Sequence, residues 1–195
     1  HNGGLITTRD RPVLRLEDMR GLRLRTPSPV VSAMLQALGA VPVSMAPLEV
    51  YENIQRGTVD GAAFTWDALN AFRIVEVTRH ELDIRSYVAS FYFVMNQRRY
   101  DGLPENVRRA IDELSGQYLA ERYGEWWNRW DAPGLEAARA RNHTITVANA
   151  EERARWQQAL QPMIEQQLTE LERGPVPNAR EIYRAMREAV ARYEN

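Results

Sequence analysis

The stretch that most constrains this chain is GLRLRTPSPVVSAMLQALGAVPVSMAPLEVYENIQRGTVDGAAFTW, residues 21–66, because its apolar pattern changes period again and again. Leu22 and Leu24 alternate with Arg23 and Arg25, the period of two that marks a half-buried strand. From Pro27 to Leu38 the apolar residues Val30, Val31, Met34, Leu35 and Leu38 recur at helical spacing, and Gly39 is placed to stop that helix. AVPVSM (40–45) reads as a strand, and Pro47 opens a helix that runs to Arg56 and Gly57. TVDGAAF (58–64) is a further strand and TWDALNAFRI (65–74) a further helix. This alternation predicts an α/β fold with a largely parallel sheet and helical crossovers. In such sheets ligands sit beyond the carboxyl ends of the strands, and Arg25 and Phe64 both fall at such ends.

The flanking sequence extends this pattern and then abandons it. Residues 3–9 read as a short strand after a glycine turn, and Leu16 to Met19 as one helical turn. SYVASFYFVMN (86–96) is long, apolar and rich in β-branched and aromatic residues, which predicts a central strand. A helix is expected from Pro104 to about Arg141, broken near Pro133-Gly134, then a strand at HTITVA (143–148). Residues 150–173 and 178–193 read as helices, separated by Gly174-Pro175 and Pro177.

Composition narrows the chemistry. The chain has 195 residues, 44% of them hydrophobic, enough for one good core or two small domains. A net charge of -1 argues against nucleic acid as a partner. There is no cysteine, which removes thiol catalysis and thiolate metal sites and suits an envelope compartment. All 25 basic residues are arginine, so neither a phosphate-loop lysine nor a Schiff-base lysine exists. His1, His80 and His143 are far apart, and HELDI at His80 lacks the second histidine of a zinc-protease motif. No GxSxG or GxGxxG occurs. Trp126 and Trp130 share a helical face; aromatics at that spacing favour packing of the long helix on the sheet over a ligand platform. The opening HNGGLITTRDRP has neither an initiator Met nor a signal peptide, so the chain is expected to have lost an N-terminal part or to be a fragment.

Three linked segments resemble the substrate-binding proteins of TRAP (tripartite ATP-independent periplasmic) transporters, the DctP type. They are LEDMRGLRLRTP (16–27), ALGAVPVSMAPLEVYENIQRGTVDGA (37–62), with Glu49, Val50, Tyr51, Gly57, Val59, Asp60 and Gly61 in step, and FYFVMNQRRYDGLPENVRRAI (91–111). The resemblance implies a periplasmic-binding-protein-like, class II-type, two-domain cleft fold, of which this chain holds mainly the second domain and the C-terminal helical part. On that reading residues 1–11 form a crossing strand and connection, and 12–86 form the α/β ligand-binding domain. Residues 87–142 form a crossing strand and long helix, and 143–195 a strand and helices packing across both domains. The first domain is expected to be largely absent.

The resemblance also assigns a role to Arg25, whose family counterpart makes a bidentate salt bridge to the ligand carboxylate. A planar guanidinium suits that task. Arg23 is read as solvated or structural, and Asp60 as a turn carboxylate bonding nearby backbone. Where many members have VDGQENP, this chain has VDGAAFTW, so Phe64 stands in the place of a polar-contact asparagine and Trp66 follows it. Phe64 and Trp66 then offer an apolar or aromatic surface to the ligand, with Trp66 equally able to pack the helix it opens. Ser90 completes the expected ligand-binding set of Arg25, Phe64, Trp66 and Ser90. Ala62 and Ala63 replace the acidic residue through which some members bind metal, so no metal or other cofactor is expected, with Asp67 the remaining acidic candidate. The implied function is a periplasmic, monomeric receptor for a small organic carboxylate, an aromatic or 2-oxo/2-hydroxy acid by preference, that delivers it to TRAP membrane subunits. A helical interaction module and an α/β enzyme acting on a carboxylate are the competing classes.

Overall fold

The computed structural model of the chain describes residues 2–192; His1 and the expected last helical residue, Tyr193, lie outside the described residues. Six strands form one sheet: β1 (Leu5–Thr8), β2 (Arg23–Thr26), β3 (Val41–Ser44), β4 (Gly61–Phe64), β5 (His80–Asp83) and β6 (Thr144–Val147). Their order is β3-β2-β4-β1-β5-β6. β2 is parallel to β3 and β4, and β5 is parallel to β6. β1 is antiparallel to both β4 and β5, with Leu5 opposite Phe64 and Ile6 opposite Leu82. The carboxyl ends of β2 to β6 therefore share one edge of the sheet, and β1 starts from that edge.

The helices are α1 (Pro29–Ala37), α2 (Val50–Gln55), α3 (Trp66–Ala71), α4 (Gln97–Asp101), α5 (Glu105–Glu113), α6 (Gln117–Ala140), α7 (Ala150–Arg173) and α8 (Ala179–Ala191). Leu16–Met19 forms the single turn read from the sequence, as a 3-10 helix. The start of α1 has a local cause: Pro29 occupies its first turn and the Ser28 hydroxyl accepts a hydrogen bond from the Val31 N–H at 3.3 Å. Gly39, at φ +87°, turns the chain out of α1 in the left-handed region that glycine adopts without steric cost.

Two cores flank the sheet. On one face Ile6, Leu24, Ala63 and Leu82 pack with Met34 and Leu35 of α1 and with Trp156 and Leu160 of α7. On the other face Leu5, Ala62 and Phe64 pack with Val50 and Ile54 of α2, Leu69 of α3 and Ala138 of α6. Burying each Leu, Ile or Val of these clusters contributes about 1.5–3 kcal/mol. Asp60 locks the entry to β2: its Oδ2 accepts from the Arg23 backbone N–H at 2.8 Å, and its carboxylate also takes the Arg23 side chain. The Arg23 hydrogen bonds hold that carboxyl below the usual range.

The structure corrects three expectations. Residues 86–96 form no strand; their one ladder contact is an isolated bridge from Val88 to Gly3. Apolar side chains here are exposed, Phe93 at 93% and Tyr92 at 83%. The strand in this part of the chain is β5 (His80–Asp83), in which the buried Glu81 breaks the apolar signature. Helix α6 runs unbroken through Pro133 and Gly134, and the interruption falls instead between α5 and α6, where Gly116 adopts φ +61°. At this point α6 lies against α3. Gly134 packs so close to α3 that a Cβ there would lie 1.8 Å from the Trp66 carbonyl oxygen. Finally, Trp126 and Trp130 do not lie buried on the sheet. They form an aromatic cluster with Tyr123 and Trp127, and Trp130 is exposed. Among the described residues no helix is long and apolar enough to cross a membrane.

Candidate functional site

Arg25 is the penultimate residue of β2, paired with Val43 of β3 and Ala62 of β4. Its side chain runs along the carboxyl edge of those three strands. Its Nε donates to the Met45 carbonyl at 3.3 Å and its Nη1 to the Ala63 carbonyl at 3.2 Å. The guanidinium carbon stands 4.3 Å from the centroid of the Phe64 ring, which in turn stacks on Phe72 at 6.0 Å. Arg25 is only 3% exposed, yet among the described residues no carboxylate pairs with it. Burial pulls its pKa below the ordinary arginine value, with the Tyr87 hydroxyl acting weakly the other way. Two carbonyl dipoles and one aromatic face orient the guanidinium but do not neutralise it. A buried charge in that state is costly until an anion arrives.

The side chains around it come from sequence-distant segments. Phe64 ends β4 and Trp66 opens α3, and both are buried in the core on the Arg25 side of the sheet. The Asp67 carboxylate accepts from the Thr65 hydroxyl, and its backbone N–H donates to Asp131 Oδ1 of α6 at 3.0 Å. Asp131 Oδ2 also accepts from the Asn2 amide at 2.6 Å. Burial raises the Asp131 carboxyl above its usual range. Asp131 thus ties the start of the chain, the first turn of α3 and the long helix together beside the edge. Tyr87, which follows β5, reaches the same edge. Its carbonyl accepts from the Gly4 N–H at 2.7 Å, and burial drives its hydroxyl pKa well up.

Of the residues selected from sequence, Arg25, Phe64 and Trp66 come together at this edge. Ser90 stands exposed in the unpaired segment after β5. Sequence reading did not find Tyr87 or Asp131, which lie far along the chain from Arg25. The glycine pair Gly3-Gly4 was the available signal for Tyr87, because a Cβ at Gly4 would lie 2.1 Å from its ring. Among the described residues no group of three or more acidic or histidine side chains could hold a metal ion. A buried titratable pair lies elsewhere: His143 Nδ1 is 2.9 Å from Glu81 Oε1, and the Thr7 hydroxyl donates to the same oxygen at 3.3 Å.

A three-layer α/β/α lobe with a buried cation at the carboxyl edge of its sheet has the build of one lobe of a solute-binding protein. The chain belongs to the DctP family, bacterial extracellular solute-binding protein family 7, whose pattern it matches over residues 1–170. It is 30% identical over 166 residues to the C4-dicarboxylate-binding periplasmic protein DctP of Rhodobacter capsulatus, covering 83% of this chain and 49% of that one. It is 26% identical over 164 residues to the DctP of Vibrio cholerae, covering 84% of this chain and 49% of the relative. Among solved structures it resembles a TRAP solute-binding protein from Rhodoferax ferrireducens in complex with copurified benzoate. That match has a TM-score of 0.89 and 27% identity, and covers 100% of this chain and 62% of the other. A marine metagenome TRAP protein specific for aromatic acids superposes with a TM-score of 0.90 at 23% identity, over 100% of this chain and 62% of that one, a likeness of fold. The chain spans about half the length of the curated relatives it matches. The family is one of solute receptors, not of enzymes.

Proposed function

We propose that this protein is a periplasmic receptor that binds a small organic acid through Arg25 and delivers it to the membrane subunits of a TRAP transporter. The observation that carries this reading is the Arg25 guanidinium: buried, oriented by the Met45 and Ala63 carbonyls, and without a carboxylate partner among the described residues. A ligand carboxylate supplies the missing charge, and each charge-assisted hydrogen bond to it contributes about 1.5–3 kcal/mol. An aromatic monocarboxylate is the preferred class. The site offers a buried cation resting on Phe64, Trp66 lies in the same apolar cluster as Phe64, and the Rhodoferax relative was found with benzoate. On this reading Phe64 acts through Arg25, holding the guanidinium against its ring, while Trp66 contributes apolar wall.

The exposed apolar run from Phe91 to Met95 fits the same reading. It belongs to the 87–142 segment, which we assign to the crossing connection toward a second lobe. The relatives, about twice as long, have the length for one. Titration of the purified protein with benzoate, mandelate, succinate and glucose, followed by tryptophan fluorescence and calorimetry, tests the proposal. Saturable binding of acids only, with benzoate ahead of succinate, is expected. Arg25→Gln should weaken it by about 2–5 kcal/mol. Binding of glucose, or acid affinity unchanged in Arg25→Gln, would remove Arg25 from the site.

A further inference from the structure

Tyr87 sits where a second ligand donor would be needed. The Ser86-Tyr87 backbone is clamped to Gly4 at the carboxyl edge by two hydrogen bonds, Gly4 N–H to the Tyr87 carbonyl at 2.7 Å and Ser86 N–H to the Gly4 carbonyl at 3.1 Å. The Tyr87 ring lies directly against Gly4, since a Cβ there would meet Cε1 at 2.1 Å and Cζ at 2.3 Å. Gly4 immediately precedes the Leu5–Phe64 register pair, so the ring lies level with the end of β4 on which the guanidinium rests. The two side chains reach this edge from opposite faces. Tyr87 packs against the core under α1 and α7, while Phe64, which supports Arg25, belongs to the core under α2 and α3.

The hydroxyl itself is the telling group. The Tyr87 ring is partly buried, but its hydroxyl is not enclosed and stays open to an incoming group. Here no hydrogen bond joins the Tyr87 hydroxyl to another described residue, although Arg25 and Asp67 are both near enough to act on it electrostatically. Burial raises its pKa well above the ordinary phenol value, so it remains a neutral donor. An ionised carboxylate has about four lone-pair sites, more than one guanidinium fork fills.

We infer that Tyr87 is a ligand-contacting residue, its hydroxyl donating to the carboxylate that Arg25 holds, so that the acid is gripped from both faces of the sheet edge. This rests on the reading of Arg25 as the carboxylate partner. Gly4 is then a specificity element at one remove, because its lack of a side chain lets the Tyr87 ring lie flat against the chain.

The test is an amide and indole NMR titration of the wild-type chain, Tyr87→Phe, Gly4→Ala and Arg25→Gln with benzoate, beside thermal unfolding of each. Tyr87→Phe keeps the ring and should weaken benzoate by about tenfold to a hundredfold, the range of one hydrogen bond to a charged group, with the unfolding midpoint unchanged. Gly4→Ala, which displaces the ring but keeps the hydroxyl, should weaken it too. Wild-type affinity should stay flat from about pH 7 to about pH 10, where an ordinary phenol begins to ionise. If Tyr87→Phe binds benzoate within about twofold of wild type while Arg25→Gln does not bind, the role of Tyr87 is overturned and the Arg25 reading stands. If the folded wild type binds no acid, both fall.

Discussion

Two regions of this molecule obey different rules. From Leu5 to Ile84, and again from Gly134 into α7, the chain supplies every buried apolar residue of the two sheet-flanking cores. Between Ile84 and Gly134 no residue is buried, although that stretch holds Phe91, Tyr92, Phe93, Val94 and Met95 and three of the five tryptophans. Hydrophobicity is therefore no guide to which part of the chain builds the lobe. What separates the regions is the availability of partners. The sheet segments each find a neighbouring strand and a covering helix, whereas the middle of 85–133 makes contacts within itself, such as Phe91 on Trp127 and Trp127 on Trp130, and reaches the carboxyl edge at its ends through Tyr87 and Asp131.

The contrast can be broken by mutation. Leu24→Ala, at a fully buried site, should lower stability by about 2–5 kcal/mol in urea denaturation, while Phe93→Ala should change it by less than about 0.5 kcal/mol. Equal effects would mean that the 85–133 segment shares the core of the lobe. Gly134→Ala probes the joint between the regions. The Cβ collides with the Trp66 backbone, so α6 must move away from α3, and a loss of about 1–3 kcal/mol in the same assay is expected. A neutral result would show that α6 is free to shift at this point.

The smallest expected effect is one of pH. Burial pushes the Glu81 carboxyl above its ordinary value, and the His143 hydrogen bond offsets this only in part. A folded-state pKa raised above the unfolded one means that the folded protein holds the proton longer. The stability due to Glu81 is then complete below the unfolded pKa and is lost as pH rises through the folded pKa. Glu81→Gln should flatten that descending limb in urea titrations run from about pH 4 upward. A mutant curve parallel to wild type would assign the limb to other groups.

The edge that carries Arg25 was partly legible in the chain. The period changes between residues 21 and 66 located β2, α1, β3, α2, β4 and α3, and so put Arg25 and Phe64 at strand ends. Periodicity is local, and burial of one face of each element imposes it directly on the sequence. Helix α7 was legible for the same reason, at Ala150–Arg173. Residues 86–96 show the limit of that logic. Their strand composition is real, but β-propensity expresses fit to a pleated, half-buried surface, and no such surface meets them here. β5 shows the converse, a strand with a buried glutamate whose acceptability depends on a histidine 62 residues away.

By itself, then, the sequence determined the alternating α/β core, the helical second half and the basic residue at the end of β2, because each is written in the spacing of neighbouring side chains. Only the tertiary structure decided that β1 runs against the sheet, that α6 passes straight through Pro133, and that Arg25 is buried over Phe64 between two carbonyls. It alone brought Tyr87 and Asp131 to the same edge. Those outcomes depend on contacts between residues far apart in the chain, and a contact of that kind leaves no period for a reader of the sequence to find.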